Sequence, residues 1–417
     1  MNYLQEKKPL SATYTLYRNR SLVLFWLGRF SSTIAYQMLS VAVGWQIYAL
    51  TGSPVYLGLV GLAQFLPMIL FSLVAGHVAD RYDRRLVFRV CQITQAIGVL
   101  VLAVGSFESW LSKEHILSIA FLLGVARVFE MPTTQALLPN LVSAEFFPKA
   151  VAWSASLLQA GSIAGPALGG FLYTAGPSVA YAVMGAIFLC GSLLVSFITI
   201  RNAPVQRQPV SLKSIFAGIA FIRSKQAILG AISLDLFAVL LGGATALLPI
   251  YAREILFTGP WGLGFLRSAP AVGALVISVF LARFPLRHHM GRTMFIAVAV
   301  FGLGTMAFAI STSFFFSLAM LVLLGGADVI SVVIRQSLVQ IETPDLMRGR
   351  VAAVNSLFIG TSNQLGEFES GLTAAWFGTK AAVLIGGIGT IIVAGLWMRL
   401  FPALAHVDNL DGLGEQR

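Results

Sequence analysis

Predominantly apolar runs of about 20 residues divide this sequence from end to end. Twelve can be counted, near residues 22–48, 55–78, 86–107, 115–139, 150–174, 178–200, 228–251, 260–282, 293–312, 315–339, 351–375 and 381–400. A helix needs about 20 such residues to cross a bilayer core. Inside lipid each backbone N–H and C=O must be bonded within its own segment, so runs of this length are read as helices. The pattern predicts an all-α membrane protein with twelve transmembrane helices. The chain is 57% hydrophobic and only 11% charged, against roughly 25% charged in soluble domains, which excludes a water-soluble enzyme as the whole molecule. The 40 glycines and 2 cysteines suit helices packed closely in lipid without disulfides. The first twenty residues are polar and basic, without the apolar core of a cleavable signal.

The basic residues set the orientation. Of 28 Lys and Arg, 21 lie in the amino-terminal segment, the alternate loops that share its side, and the carboxyl tail, whereas the opposite loops hold Lys113, Arg253 and Lys380. By the positive-inside rule both termini are expected in the cytoplasm, with the chain in a bacterial inner membrane. The net charge of +11 is then a topology signal, not one for nucleic acid.

Residues 201–227 form the longest link between runs. They divide the chain into an amino-terminal six-helix bundle (1–200), a cytoplasmic linker (201–227) and a carboxyl-terminal six-helix bundle with a short tail (228–417). The halves resemble each other weakly: Leu123-Gly124-Val125-Ala126 aligns with Leu324-Gly325-Gly326-Ala327, and Val151-Ala152 with Val351-Ala352. A duplication of this kind places a midplane site at the interface of two pseudo-symmetric halves.

Nine charged residues fall inside the runs, away from their ends: Arg29, Arg127, Glu130, Asp235, Arg267, Asp328, Arg335, Glu367 and Glu369. Each costs roughly 2.5–3.5 kcal/mol at the bilayer centre, so each demands a partner or a watery cavity. Helices 1, 4, 7 and 10 carry six of them and are expected to line a common polar cavity. Arg127 and Glu130 are three apart and can pair. Arg127 and Asp328, at equivalent positions in the halves, are expected to face each other. Asp235 has no cation within a turn and is the first candidate for carrying a proton, with Asp328 and Glu130 next. Arg29, Arg127, Arg335, Tyr36 and Gln37 are substrate-cavity candidates, and Arg267 with Glu367 or Glu369 forms an outer ion-pair candidate.

Two motifs carry a resemblance. Gly76-His77-Val78-Ala79-Asp80-Arg81-Tyr82-Asp83-Arg84-Arg85 resembles the loop signature G-x-x-x-D-R-x-G-R-R of the major facilitator superfamily, with Asp83 where the second glycine belongs. Gly161-Ser162-Ile163-Ala164-Gly165-Pro166-Ala167-Leu168-Gly169-Gly170 is similar to that superfamily's antiporter signature, with all five fixed positions filled. Further segments, among them Leu234-Asp235-Leu236-Phe237 and Thr343-Pro344-Asp345, resemble the branch of enterobactin and drug exporters. The resemblance implies a major facilitator fold working by alternating access. Gly76, Asp80, Arg81, Arg84 and Arg85 would form a conformational latch in which Asp80 meets Gly349-Arg350-Val351. Gly161, Gly165, Pro166, Gly169 and Gly170 would favour export by exchange.

The expected function is secondary active transport: proton-coupled export of a small organic molecule such as a siderophore or drug, with a nutrient symporter or facilitator as the alternative. An anionic siderophore would suit the arginines, and an amphipathic cation the carboxylates. One proton falling through 100 mV supplies about 2.3 kcal/mol, enough for a roughly fiftyfold gradient of a neutral substrate. No cofactor is called for. None of the seven lysines completes a phosphate-binding loop, and His77, His115, His288, His289 and His406 have no metal-ligand spacing. The expected partners are a small-molecule substrate, protons and the lipid bilayer, without nucleic acid, and the chain is taken as a monomer.

Overall fold

The computed structural model describes Leu16 and residues 18–200, 212–286 and 288–408. Lys7 and Lys8 of the basic amino-terminal segment, residues 201–211 of the linker, Arg287 and the end of the tail (409–417) lie outside the described residues. Long helices fill the chain: α1 (Arg20–Thr51), α2 (Pro54–Arg81), α3 (Arg84–Phe107), α4 (Lys113–Leu137), α5 (Phe147–Tyr173) and α6 (Pro177–Ser196). A shorter helix, Leu212–Ser224, precedes α7 (Gln226–Ile255). Then come α8 (Gly259–Arg283), α9 (Met290–Ile310), α10 (Phe314–Glu342), α11 (Asp345–Phe377) and α12 (Thr379–Leu400).

Among the described residues nine helices are long and apolar enough to cross a membrane. The other long ones are α1, α5 and α11, whose apolar runs are diluted by Gln37, Gln46, Gln159, Gln364, Glu367 and Glu369. These three helices pack at the centre of the molecule, where polar groups meet protein instead of lipid.

The ends follow local chemistry. Asn19 caps α1 by accepting from the Leu22 amide, and Gly52 closes it in the left-handed conformation that glycine adopts without strain. Proline occupies the first turn of α2 and α6, where its missing N–H costs nothing. α7 departs from the expected unbroken span. It breaks at Gly242–Gly243 into a 3₁₀ turn and ends in a π-helical turn, Tyr251–Ile255.

Packing repeats with a period of six helices. In the first half α1 packs on α5 and α6, α2 on α4, and α3 on α4 and α6; in the second, α7 packs on α11 and α12, α8 on α10, and α9 on α10 and α12. The halves join through α5 against α8 and α2 against α11, two contacts that the same six-helix shift exchanges. The loops at 52–53, 108–112, 174–176, 256–258, 311–313 and 378 share one end, the short-loop face; the arginine-bearing loops share the other, the basic face.

The hydrophobic core reports how the halves meet. The largest cluster runs through both, from Met38, Val41 and Ile47 to Leu247, Tyr251, Leu263 and Leu266. Clusters nearer the basic face stay within one half: Phe25, Phe88 and Leu138 in the first, Met294, Ile334 and Leu338, or Ile228 and Val351, in the second. The protein is closed at the short-loop face and divided at the basic face.

Candidate functional site

The closed face is sealed by backbone approach. At the α5–α8 crossing, a Cβ on Gly264 would lie 2.5 Å from the Pro166 carbonyl oxygen and 3.2 Å from Gly170 Cα. At the α2–α11 crossing, Gly371 stands against Gly58 and the Pro54 carbonyl, each at 2.8 Å from such a Cβ. Hydrogen bonds bridge the halves in the same region: Tyr48 to Glu254 (2.5 Å), Ser268 to the Ile163 carbonyl (2.6 Å) and Gln159 to the Ala271 carbonyl (2.8 Å). The antiporter-like motif supplies two surfaces. Gly161, Gly165 and Gly169 admit Thr33, Gln37 and Met38 of α1, while Pro166 and Gly170 meet α8.

Beneath the seal lies a cavity of about 150 Å³, smaller than the roughly 300–1,000 Å³ of drug-sized sites. A large substrate therefore requires the halves to move. Its lining includes Tyr36, Gln37 and Ser40 of α1, Gln64 of α2, Leu123 of α4, Ala246 of α7, Arg267 of α8, and Gln364 and Glu367 of α11. The expectation that helices 1, 4, 7 and 10 share one cavity is corrected: α10 contributes nothing to this lining, and α2, α8 and α11 do. The α2–α11 and α5–α8 contacts bring those helices to the centre, a tertiary fact that a count of charges per helix does not contain.

Arg267 and Glu367 both face this cavity. Among the described residues no carboxylate lies within 4.0 Å of the Arg267 guanidinium, and its buried Nε has no hydrogen-bond partner. They are therefore cavity-lining charges, not a direct outer ion pair. Glu369 turns away and accepts from Thr373 at 2.6 Å. Tyr36 donates to Gln64 at 2.7 Å, and Arg127 stacks 4.7 Å above its ring.

Arg127 makes the expected ion pair with Glu130, at 3.7 Å. Glu130 is buried and also accepts hydrogen bonds from Ser32 and, at 2.6 Å, from Gln95. Arg29 lies in the electrostatic neighbourhood of Arg127 and Glu130, so this part of the first half carries two arginines against one carboxylate. Its neutral neighbours Ser32, Gln95 and Tyr36 are not legible in the sequence as partners of Glu130 and Arg127, because single polar residues in apolar runs carry no pairing signal.

The second half differs from expectation. Asp235 is not without a cation: the Arg335 guanidinium stands 3.1 Å away on α10, and Arg335 also donates to Asn355 at 2.9 Å. Arg335 is 2% exposed, so it serves this pair and does not face the central cavity. Partners a hundred residues apart are invisible to a search within one helical turn. Asp328 lines a separate small enclosure with Asp235 and Ser331. It thus shares its surroundings with Asp235, not with Arg127 as expected.

The loop motif binds its own half. Arg84 is buried and donates to the carbonyls of Ala79 and Ala136, both at 3.1 Å, capping the ends of α2 and α4. Asp83, standing at the signature's glycine, has φ −59°, caps α3 through the Arg85 amide and pairs with the Arg85 guanidinium at 2.6 Å. No glycine is needed in that conformation. Hydrogen bonding to Arg85 holds the Asp83 carboxyl below the usual carboxylate range, and Arg85 also reaches the Ile198 carbonyl at 2.9 Å. Asp80 and Arg81 are exposed, and Cβ atoms on Gly76 or Gly349 would meet nothing within 4 Å. Among the described residues Asp80 makes no ion pair, so the structure does not bring the expected latch together.

Comparison with known proteins accords with this geometry. A profile of the transmembrane secretion effectors matches residues 11–415. The enterobactin exporter EntS of Escherichia coli (strain K12) is 25% identical, over 91% of this chain and 92% of its own. The macrolide efflux protein A of Streptococcus pyogenes is 24% identical, over 95% and 99%. In fold the chain is similar to a bacterial homologue of the lysosomal transporter Spinster, in an inward-facing and unoccupied conformation (TM-score 0.74, 14% identity, covering 93% of this chain and 98% of that one). The nucleoside transporter NupG is similar too, with TM-score 0.69 and 14% identity over 91% and 99%.

Proposed function

Because the chain belongs to the transmembrane secretion effector family of major facilitator transporters, and is thus a multi-pass secondary transporter and not an enzyme, we propose that it exports a small organic molecule in exchange for protons. The observation that carries this reading is the cavity beneath a sealed short-loop face, between halves whose cores separate at the basic face. All twelve long helices span the membrane in this reading, as two six-helix bundles (1–200 and 228–417) joined by the 201–227 linker. The basic face and both termini are cytoplasmic, in the inner membrane of a bacterium, and the conformation receives substrate from within.

The relatives that export enterobactin and macrolides support the outward direction at family level. The substrate class follows from charge. Arg127 is 31% exposed at its side chain and, with Arg29, outweighs Glu130, so this half attracts an anionic group. Tyr36 and Gln64 offer an aromatic face and hydrogen bonds beside it. When the basic face closes, Asp80 reaches the start of α11, where the helix amino terminus favours a negative charge. The short-loop face then opens by parting α5 from α8 and α2 from α11.

The test is flux in proteoliposomes with the basic face inside. With an imposed proton gradient, a panel of catecholates, macrolides and cationic dyes is offered and lumenal pH is followed. Proton movement that requires an anionic compound supports the proposal. Uptake driven by co-movement of protons, or flux indifferent to the gradient, replaces it with a symporter or a facilitator.

A further inference from the structure

A second enclosure lies inside the carboxyl-terminal half, away from the cavity between the halves. It is lined by Asp235, Ala238 and Val239 of α7, Ala297, Val298 and Phe301 of α9, and Ala327, Asp328 and Ser331 of α10. Its volume is about 10 Å³, room for roughly one water molecule. Ser331 is 3% exposed and its hydroxyl has no hydrogen-bond partner; the buried Nε of Arg335 has none either. On α10, Asp328, Ser331 and Arg335 are spaced three and four residues apart, so they share one face.

The charges do not balance. Asp235 and Asp328 are two carboxylates, and Arg335, bound to Asp235 at 3.1 Å, is one guanidinium. The lining from α9 is apolar, α11 contributes the neutral Asn355 to Arg335, and Thr390 of α12 bonds the Ala238 carbonyl. No other titratable side chain lines the enclosure among the described residues. One negative charge is therefore left over in a space that holds a single small ligand. The central cavity differs, since its lining holds one arginine and one glutamate, whose charges cancel.

We propose that this enclosure is the coupling-ion site, holding one proton on the Asp235–Asp328 pair together with one water bonded to Ser331. The inference rests on the proton-coupled reading above and adds that ion and substrate occupy different places: the ion within one half, the substrate between the two. The Arg335 guanidinium is the element that responds. With the proton bound it belongs to Asp235; with the proton gone it is shared with Asp328 on its own helix, which loosens the tie between α10 and α7. Arg335 also holds Asn355 of α11, a helix that lines the central cavity, and so the shift reaches the substrate.

The test needs no substrate. The full-length protein in lipid nanodiscs is titrated from about pH 6 to about pH 10, above the range in which exposed Asp and Glu titrate, while the infrared carboxylic-acid stretch is recorded, with folding checked by circular dichroism and gel filtration. The wild type is expected to show one titrating carboxylic acid. Asp328→Asn and Asp235→Asn should each abolish it, since losing either carboxylate neutralises the enclosure. Arg335→Gln should add a second, and Ser331→Ala should shift the band without removing it. A band that survives in both Asp→Asn variants overturns the proposal. So does a titration midpoint that moves tenfold in proton concentration for each tenfold rise in sodium, which would make the site's ion sodium. A negative result here leaves the export reading intact, because that reading stands or falls on flux.

Discussion

Closing the short-loop face depends on the absence of a side chain at Gly264. A Cβ there would meet the Pro166 carbonyl oxygen at 2.5 Å, Ala167 Cα at 3.1 Å and Gly170 Cα at 3.2 Å. All three are main-chain atoms of α5, so no rotamer change relieves the clash and the helices must part. Overpacking of this kind costs about 1–3 kcal/mol. The strain exists only while α5 and α8 touch, so it falls on one conformation and not on the fold. Gly264→Ala should therefore shift the ratio of short-loop-closed to short-loop-open molecules by roughly 5- to 150-fold. With Cys91 and Cys190 replaced, spin labels at Ser53 and Gly378 report the short-loop face, and labels at His77 and Gly349 report the basic face. The variant should lengthen the first distance and shorten the second. Gly395→Ala is the control, since a Cβ there meets nothing within 4 Å. A folded Gly264→Ala protein with both distance distributions unchanged would refute the assignment of the α5–α8 crossing as the seal.

Removing the Arg335 guanidinium leaves the Asp235 and Asp328 carboxylates buried without a cation, so Arg335→Gln should lower thermal stability in detergent at pH 7 by about 3–5 kcal/mol equivalent, and Arg335→Gln with Asp235→Asn should recover much of it. Asp83→Ala removes the cap of α3 and should cost about 1 kcal/mol. Because Arg85 holds the Asp83 carboxyl below its unfolded value, that contribution is full at neutral pH and disappears only as pH falls below about 4, through the folded value; stability measured at pH 7 and pH 3 checks the sign. Arg127→Gln should weaken an anionic substrate roughly 10- to 150-fold, the worth of a charged hydrogen bond of about 1.5–3 kcal/mol. It should leave a neutral compound of the same size unaffected in a competition assay.

The sequence made the helices legible because lipid imposes a length and an apolarity that few other structures share. Each expected run has a helix over it, and the basic loops fall at one end of the bundle. Short-range partners were legible too: Arg127 and Glu130 are three apart and do pair. Asp235 with Arg335, Tyr48 with Glu254 and Gln159 with the Ala271 carbonyl were not, since each joins residues separated by a hundred or more positions. Periodicity on one helix says which face is polar but not which helix answers it. The antiporter-like glycines show both sides of this. Their spacing announced close packing, whereas the division of labour between α1 for Gly161, Gly165 and Gly169 and α8 for Gly170 emerges only from the fold. Asp83 is a third case: a departure from the signature becomes intelligible once it is a helix cap, which needs an oxygen and no left-handed backbone.

Apart from Glu369, which is bonded to Thr373, the intramembrane charges fall into three groups. Around Arg29, Arg127 and Glu130 the first half carries one positive charge in excess; around Asp235, Asp328 and Arg335 the second carries one negative charge in excess; Arg267 and Glu367 balance in the cavity between them. In the exchange proposed above, an anion entering from the basic face is drawn to the first half, and a proton to the second. Each ligand neutralises the half it binds, and closing the basic face around an uncompensated charge is costly at low dielectric. Closing around the substrate thus requires the first half's charge to be met, while the second half is deprotonated and Arg335 is shared between Asp235 and Asp328. Exchange further requires that proton and substrate oppose each other, which the link from Arg335 through Asn355 to α11 provides. Neutralising the first half's excess with Arg29→Gln should therefore permit the basic face to close without an anion. Measured by the His77–Gly349 distance at fixed pH, the closed population should rise in the variant and stay low in the wild type; a closed population equal in the two proteins would break the connection between charge excess and gating.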